Sequence, residues 1–141
     1  MSTSERDLAP KPRPVPTPVS QPFWDALRDE RILLQRCDEC ATWVYYPRVR
    51  CPQCLSDRLT WMPVDGRGTV YTFTVALQPT APPFADEVPQ LLGVVELTEG
   101  VRLSTTLVDV DPTAVSIGMP VTPMFDHGDD GLTLLRFRPR P

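Results

Sequence analysis

The four cysteines of this chain occur as two Cys-x-x-Cys pairs, and their spacing predicts a metal site. Cys37 and Cys40 form the first pair, and Cys51 and Cys54 form the second pair after ten intervening residues. Each short turn directs two thiolates towards one point, so the two turns together offer Zn²⁺ a tetrahedral set of four sulfur ligands. Because four protein ligands leave no open coordination position, a zinc ion held here would stabilise structure and activate no water.

Other uses of four cysteines fit this pattern less well. A redox dithiol needs only one Cys-x-x-Cys pair, and a disulfide framework rarely consists of two identical turns. An electron carrier with iron in the four-sulfur site remains an alternative, which metal analysis would distinguish from zinc. Ala41 and Leu55 follow the two pairs, at a position where glycine is common because the backbone there is left-handed. We therefore expect one turn to be less regular than the other.

Composition and charge narrow the class of protein. The 141 residues are 41% hydrophobic, which suffices for one modest core or for a metal-stabilised module beside a second small domain. The first residues lack the apolar stretch of a signal peptide, and no apolar run approaches membrane-spanning length, so we expect a cytoplasmic protein without membrane contact. The formal net charge is −4, and four thiolates with one Zn²⁺ would make it about −6. This sign opposes nucleic-acid binding.

The N-terminal part of the chain is predicted to be a tail followed by a short helix. Proline stands at every second position from residue 10 to residue 18, which favours an extended polyproline II conformation and a flexible tail over residues 1–21. A helix is expected to begin near Pro22 and to continue to about Arg31. Its aromatic residues Phe23 and Trp24 fit a core role better, but a helix this short can also dock on another chain. Trp24 is therefore a candidate partner contact.

The rest of the chain is predicted to be mainly β. Strands at 32–37, 43–46 and 59–64 surround the two cysteine turns, as in a zinc ribbon of rubredoxin type. Five further strands are predicted at 69–75, 91–97, 101–108, 121–125 and 132–137, with a helical turn between the third and fourth. They fit a five-stranded Greek-key barrel of the OB-fold type. The predicted units are thus the tail, a helix plus zinc ribbon over 22–64, and the OB-fold barrel over 65–141.

A long proline-rich segment, residues 78–89, connects the first two barrel strands. Loops of this length in a compact domain are often functional. Phe84 would be an apolar ring on its surface, unless the loop packs back on its own barrel. Both possibilities remain open, and Phe84 is a candidate contact with a partner or with acyl-CoA.

In order along the chain, several segments resemble the zinc-ribbon plus OB-fold proteins that accompany thiolase-like enzymes. The resemblance extends from about Phe23 to Phe137 and is carried by the helix, the two cysteine pairs and the segments Gly66–Val75, Pro82–Glu87, Leu91–Leu97 and Ile117–Val121. It implies an accessory subunit that binds a thiolase, a hydroxymethylglutaryl-CoA synthase, an acyltransferase or a retro-aldolase that shortens steroid side chains. Some members are fused to a hotdog-fold hydratase domain, and the tail would suit a linker from such a neighbour.

The resemblance also implies the ligands and the division of labour. Cys37, Cys40, Cys51 and Cys54 correspond to the family's zinc ligands, acyl-CoA would be a ligand of the hetero-oligomeric complex, and no catalytic residue of the family has a counterpart here. The residues themselves agree, because the single histidine, His127, lies in a turn-like Asp/Gly segment and no nucleophile motif is present. We expect no activity from the chain alone. The alternative function is a module that binds single-stranded nucleic acid, since ribbons and OB barrels both serve that purpose.

Overall fold

The computed structural model describes residues 10–141, which form one short α-helix, two 3-10 turns and eight strands. In chain order these are α1 (Gln21–Arg28), β1 (Ile32–Cys37), β2 (Trp43–Val44), β3 (Leu59–Val64), β4 (Gly68–Ala76), the first 3-10 helix (Pro82–Glu87), β5 (Gln90–Leu97), β6 (Arg102–Thr106), the second 3-10 helix (Pro112–Ala114), β7 (Pro120–His127) and β8 (Thr133–Pro139). Within this part of the chain, no helix has both the length and the apolar character to cross a membrane.

Helix α1 is amphipathic and short. Ser20 precedes it and Pro22 occupies its first turn, where the missing N–H of proline costs nothing. It buries Phe23, Trp24, Ala26 and Leu27. The helix ends three residues before the expected Arg31, because Glu30 adopts a left-handed conformation (φ 56°) and the Arg31 N–H turns back to the carbonyl of Ala26 at 2.9 Å.

The zinc ribbon is a three-stranded antiparallel sheet in the order β2–β1–β3. Strand β1 pairs with β3 along its whole length, from Ile32 opposite Val64 to Cys37 opposite Leu59. It pairs with β2 over only two residues, because the chain turns at the first cysteine pair. The predicted ribbon is confirmed.

The second sheet has the order β6–β5–β4–β7–β8 and forms the OB-fold barrel. Strand β4 pairs with the whole of β5 but meets β7 only at Gly68 and Thr69. The other side of the barrel closes through a bridge between Leu107 and Phe137. Five strands with a short helical turn between the third and fourth were expected, and this fold class is confirmed.

A single hydrophobic core joins the ribbon to the barrel. Its buried cluster includes Phe23, Leu27 and Leu34 from the N-terminal half, together with Val95 and Phe137 from the barrel. Gly66 lies at the junction with φ +80°, and a Cβ atom there would lie 2.7 Å from Pro123 Cγ and 2.8 Å from Ile32 Cδ1. Only glycine avoids both the strain and the clash, which explains the turn before β4.

The described part of the expected tail makes specific contacts, and its flexibility stays a prediction. Residues 10–19, here called the proline arm, lie against the barrel. Lys11 Nζ lies 2.8 Å from a carboxylate oxygen of Glu87, and Arg13 donates two hydrogen bonds of 3.0 and 3.2 Å to Asp130. These ion pairs join the arm to the β4–β5 and β7–β8 loops. The rest of the expected tail, residues 1–9, lies outside the described residues.

Candidate metal centre and partner-binding surfaces

The fold brings the four predicted ligands together. All four Sγ atoms lie within 4.8 Å of one another, with Cys37 and Cys54 at 3.5 Å and Cys40 and Cys51 at 3.6 Å. Zinc–sulfur bonds of about 2.3 Å place the sulfurs of a tetrahedron about 3.8 Å apart. The cluster therefore has the size and the ligand set of a structural zinc site.

The two cysteine turns, which we call the first knuckle (37–41) and the second knuckle (51–55), have equivalent backbones. The N–H of Ala41 donates to the carbonyl of Cys37 at 2.9 Å, and the N–H of Leu55 donates to the carbonyl of Cys51 at the same distance. The φ angles of Ala41 and Leu55 are 62° and 66°. The expectation of one less regular turn is wrong, because both residues accept the left-handed conformation despite their Cβ atoms.

The four thiols cannot all ionise easily without a cation, because the pKa values of two of them, Cys40 and Cys54, are shifted in opposite directions. Hydrogen bonding with the side chain and the backbone of Thr42 lowers the pKa of Cys40 to about 6. At Cys54 the Ser56 backbone N–H lowers the pKa, but desolvation and the neighbouring thiols outweigh it and raise the pKa to about 12. Four thiolates this close repel one another, and the charge of Zn²⁺ would stabilise all of them. The residues present thus fit the metal.

The candidate contact residue Trp24 belongs to an aromatic cluster between α1 and the ribbon. Its ring centroid lies 5.1 Å from that of Phe23 and 6.4 Å from that of Tyr46. Only 8% of Trp24 is exposed. Tyr45 completes the cluster, and burial raises its pKa to about 12. This geometry favours the core role of Trp24, and its contact role stays a prediction.

The second candidate contact residue, Phe84, lies elsewhere. It is half-buried in the first 3-10 helix, outside the hydrophobic core cluster. Lys11 of the proline arm holds this turn through Asp86 and Glu87 at 3.3 and 2.8 Å. The loop is therefore packed by its neighbours, and a contact role for Phe84 also stays a prediction.

Sequence reasoning missed two adjoining hollows on the barrel. The first has a volume of about 390 Å³ and an uncharged lining: Thr72, Phe73, Thr74, Leu92, Gly93, Val94, Ser104 and Thr105. The second, of about 190 Å³, lies between the aromatic cluster and the barrel and shares Thr105 with the first. No residue signalled them in the sequence, because Gly93 adds only backbone to this lining and a Cβ atom on it would lie 3.2 Å from Cδ1 of the buried Leu107.

No catalytic constellation accompanies these surfaces among residues 10–141. His127, the single histidine of the chain, ends strand β7, where its Nδ1 lies 2.8 Å from the hydroxyl of Thr133. Its Nε2 lies 3.6 Å from the carboxylate of Glu30. All four cysteines belong to the metal cluster. Thr133 is only 1% exposed, so the hydroxyl beside His127 is closed to a substrate.

Comparisons with known proteins agree with this architecture. A family described as "ChsH2, rubredoxin-like zinc ribbon domain" matches residues 24–60, and one described as "ChsH2, C-terminal OB-fold domain" matches residues 61–126. A solved structure, an "Ltp2-ChsH2(DUF35) aldolase", has a chain that is 38% identical, with a TM-score of 0.78. The similarity covers 90% of this chain and 98% of that one.

Three curated relatives carry informative names. A "probable enoyl-CoA hydratase alpha subunit" of Thermomonospora curvata is 38% identical over 97% of this chain, which spans 42% of that protein. A "DUF35 domain-containing scaffold protein" of Methanothermobacter thermautotrophicus is 31% identical, over 75% of this chain and 83% of that protein. A "3-oxo-4,17-pregnadiene-20-carboxyl-CoA hydratase alpha subunit" of Mycobacterium tuberculosis is 35% identical over 70% of this chain, which spans 31% of that protein.

Proposed function

This chain belongs to the DUF35 family of ChsH2-type proteins, which join a zinc ribbon to an OB-fold domain, and we propose that it is a non-catalytic accessory subunit of a thiolase-type enzyme that acts on acyl-CoA. The partner would be a thiolase, an acyltransferase or a retro-aldolase. The chain would bind this partner and help to form or stabilise its acyl-CoA site. The names of an aldolase structure and of a scaffold relative support this role.

The uncharged hollow on the barrel is the observation that carries the proposal. OB folds bind their ligands on the face of their second and third strands, which are β5 and β6 here. Leu92, Val94 and Ser104 occupy part of that lining, and no lysine, arginine or carboxylate contributes to it. Such a surface suits an apolar protein surface or the hydrocarbon part of an acyl chain, because it offers no partner for phosphates.

The same hollow weighs against the alternative function. Single-stranded nucleic acid needs a basic groove with exposed rings on which bases stack. The ring in the lining, Phe73, is only half-exposed, and the chain is acidic overall. Filter binding of oligonucleotides would revive the alternative if retention were tight and fell steeply with salt.

The substrate class would be a coenzyme A thioester, with aldol cleavage in steroid side-chain degradation as one such reaction. The pregnadiene-carboxyl-CoA named in one relative supports a steroid-like acyl group. The hydratase names of two relatives support a hotdog-fold hydratase as a second partner. Trp24 and Phe84 would contribute contacts at the partner or acyl-CoA surface, and the zinc would hold the ribbon in position.

Co-purification followed by reconstitution tests the proposal. The chain, expressed in its own cells with an affinity tag, is expected to retain a thiolase-type subunit through gel filtration. That subunit should lose most of its activity on acyl-CoA when purified without the chain and regain it when the chain is added. Full activity of the isolated partner, or recovery of no thiolase-type protein, would refute the proposal.

A further inference from the structure

The two zinc knuckles have the same backbone but opposite surface chemistry. The first carries the acidic pair Asp38 and Glu39, and its left-handed position is occupied by the small residue Ala41. The second carries Leu55 at the equivalent position and follows the segment Arg48–Arg50. Metal binding requires neither difference, because the two turns share the same backbone hydrogen bond, from the residue after the second cysteine to the carbonyl of the first.

Leu55 is unfavourable for the folded chain in two independent respects. Its φ of 66° lies in the left-handed region, which disfavours any residue with a side chain. Its side chain is also 68% exposed, and that of the nearby Val49 is 66% exposed. The hydrogen bond from Arg50 to Leu55 links the two exposed aliphatic positions, since Val49 precedes Arg50 in the chain, and exposed aliphatic residues held together indicate a surface retained for contact.

The surface around the second knuckle is held rigidly. Buried Gln35 clamps the backbone of Arg48 from both sides: its Nε2 donates to the Arg48 carbonyl at 2.9 Å, and its Oε1 accepts from the Arg48 N–H at 2.8 Å. The guanidinium of Arg50 donates to the carbonyl of Leu55 at 3.1 Å. A surface fixed in this way would lose little conformational entropy when a partner binds.

The charge of this surface indicates what binds there. Among residues 10–141 most arginines lie within ion-pair distance of a carboxylate, as Arg58 does with Glu39. Within that range Arg36, Arg48, Arg50 and Arg140 have no such partner, and of these Arg48 and Arg50 flank an exposed aliphatic residue, Val49. Unpaired arginines beside exposed aliphatic residues are typical of a protein-binding surface. Within a chain of net charge −4, they form a local basic site that complements an acidic partner surface.

We propose that Arg48, Val49, Arg50 and Leu55, here called the knuckle patch, form a docking surface for an acidic recess with an apolar floor on the thiolase-type subunit. This inference rests on the proposed function, because it names the surface through which that subunit is bound. Leu55 and Val49 would enter the apolar floor, and the two arginines would pair with carboxylates at its rim.

Binding measurements with variants test the knuckle patch. The probe is the thiolase-type subunit recovered by co-purification, titrated calorimetrically with the zinc-loaded chain. Leu55→Ala should weaken binding by about tenfold or more. It should keep its zinc and its fold, because Ala41 shows that alanine fits the same backbone. The double variant Arg48→Glu, Arg50→Glu should also bind more weakly, and added salt should raise its affinity, whereas salt should lower that of the wild-type chain, because repulsion between like charges is screened.

Matched controls make the outcomes distinguishable. Ile117→Ala removes an equally exposed aliphatic side chain (70%) outside the knuckle patch and should leave binding unchanged. Wild-type affinity in both knuckle variants would overturn this inference alone. A wild-type chain that binds no thiolase-type subunit would overturn the proposed function together with it. The knuckle-patch inference would also be overturned if the chain bound an oligonucleotide, the arginine variant abolished that binding, and affinity for the protein partner stayed unchanged.

Discussion

The indole N–H of Trp24 donates a hydrogen bond of 3.0 Å to the hydroxyl of Tyr46. This bond connects helix α1 to the segment that follows strand β2. Trp24 is buried, whereas Tyr46 is 40% exposed, so the pair extends from the core to the surface. Tyr46 therefore extends the aromatic cluster to the surface, whereas Trp24, the contact candidate from the sequence, lies beneath it.

Truncation of Trp24 is expected to cost stability before it costs binding. Trp24→Ala should lower the free energy of unfolding by about 3–5 kcal/mol because it leaves a cavity in the core. Tyr46→Phe should cost only about 1 kcal/mol, since it removes one hydrogen bond. Urea denaturation measures both. Unchanged stability of Trp24→Ala with weakened partner binding would instead identify a contact residue.

Loss of one zinc ligand is expected to unfold the ribbon. Cys37→Ser and Cys51→Ser should each lose the metal, because three thiolates and a hydroxyl bind zinc far more weakly, and the melting temperature should fall. Metal analysis by mass spectrometry and thermal melting measure these effects, with Leu55→Ala as the zinc-retaining control. If chelator leaves the melting temperature of the wild-type chain unchanged, the structural role of zinc is refuted. A red, iron-containing chain would support the electron-carrier alternative.

Gly66 and Gly100 provide a matched test of the junction between ribbon and barrel. Both have positive φ, at +80° and +91°, but a Cβ atom at Gly100 would have no neighbour within 4 Å. Gly100→Ala should therefore cost only the backbone strain, about 1–2 kcal/mol. Gly66→Ala should cost about 1–3 kcal/mol more, because it also clashes with Ile32 and Pro123. Equal losses in chemical denaturation would show that the junction can relax.

The proline arm makes a prediction about the titration of Asp130. Its hydrogen bond with the Arg13 side chain lowers the pKa of Asp130 below the ordinary value of 3.8, with help from the Leu132 N–H. Because this pKa is lowered, ionised Asp130 stabilises the docked arm fully at a pH above 3.8. The stabilisation is lost as the pH falls through the lowered pKa. Arg13→Gln should raise the pKa of Asp130 towards its ordinary value.

A carboxyl NMR titration measures this shift, and Asp111 is the control. Its pKa is lowered by hydrogen bonds from the Thr113 side chain and backbone, independently of the arm. It should titrate identically in the wild-type chain and in Arg13→Gln. An unchanged pKa of Asp130 in the variant would show that the arm does not dock in solution.

Phe84 is expected to affect partner binding more than stability. It lies outside the core cluster and is half-buried on a loop, so Phe84→Ala should lower the free energy of unfolding by about 1 kcal/mol or less. Affinity for the thiolase-type subunit should fall severalfold. Leu77→Ala, at a 75% exposed position on the same connection, is the matched control. A large loss of stability with unchanged affinity would identify Phe84 as a loop-packing residue.

The sequence predicted the parts of this fold that depend on local patterns. The Cys-x-x-Cys spacing identified the metal cluster, and alternation within segments such as Thr69–Val75 identified the barrel strands. These features are local, because ligand turns and strand faces are encoded by residues a few positions apart. The predicted end of helix α1 was wrong for a local reason as well. A glutamate gives no indication in the sequence that its backbone will be left-handed, as that of Glu30 is.

Features that join distant residues were not predictable. Arg13 and Asp130 are separated by 117 positions. From the sequence, each of them would be expected to be a solvent-exposed charge without a partner. The clamp of Gln35 on Arg48 likewise depends on burial that a single glutamine does not reveal. The equivalence of the two knuckles was missed because the left-handed region disfavours residues with a Cβ atom such as Ala41 and Leu55, whereas the same backbone hydrogen bond holds both turns.

The two family matches meet between residues 60 and 61, in the middle of strand β3. A fragment cut there would remove most of the pairing of β1 with β3, since Ile32 and Leu34 face Val64 and Met62 across the cut. The cut would also divide the shared hydrophobic core and expose apolar surface to water. Binding of such a fragment to other proteins would reflect non-specific hydrophobic contact and not specific recognition. Recognition by this chain can therefore be mapped by point substitution but not by dissection.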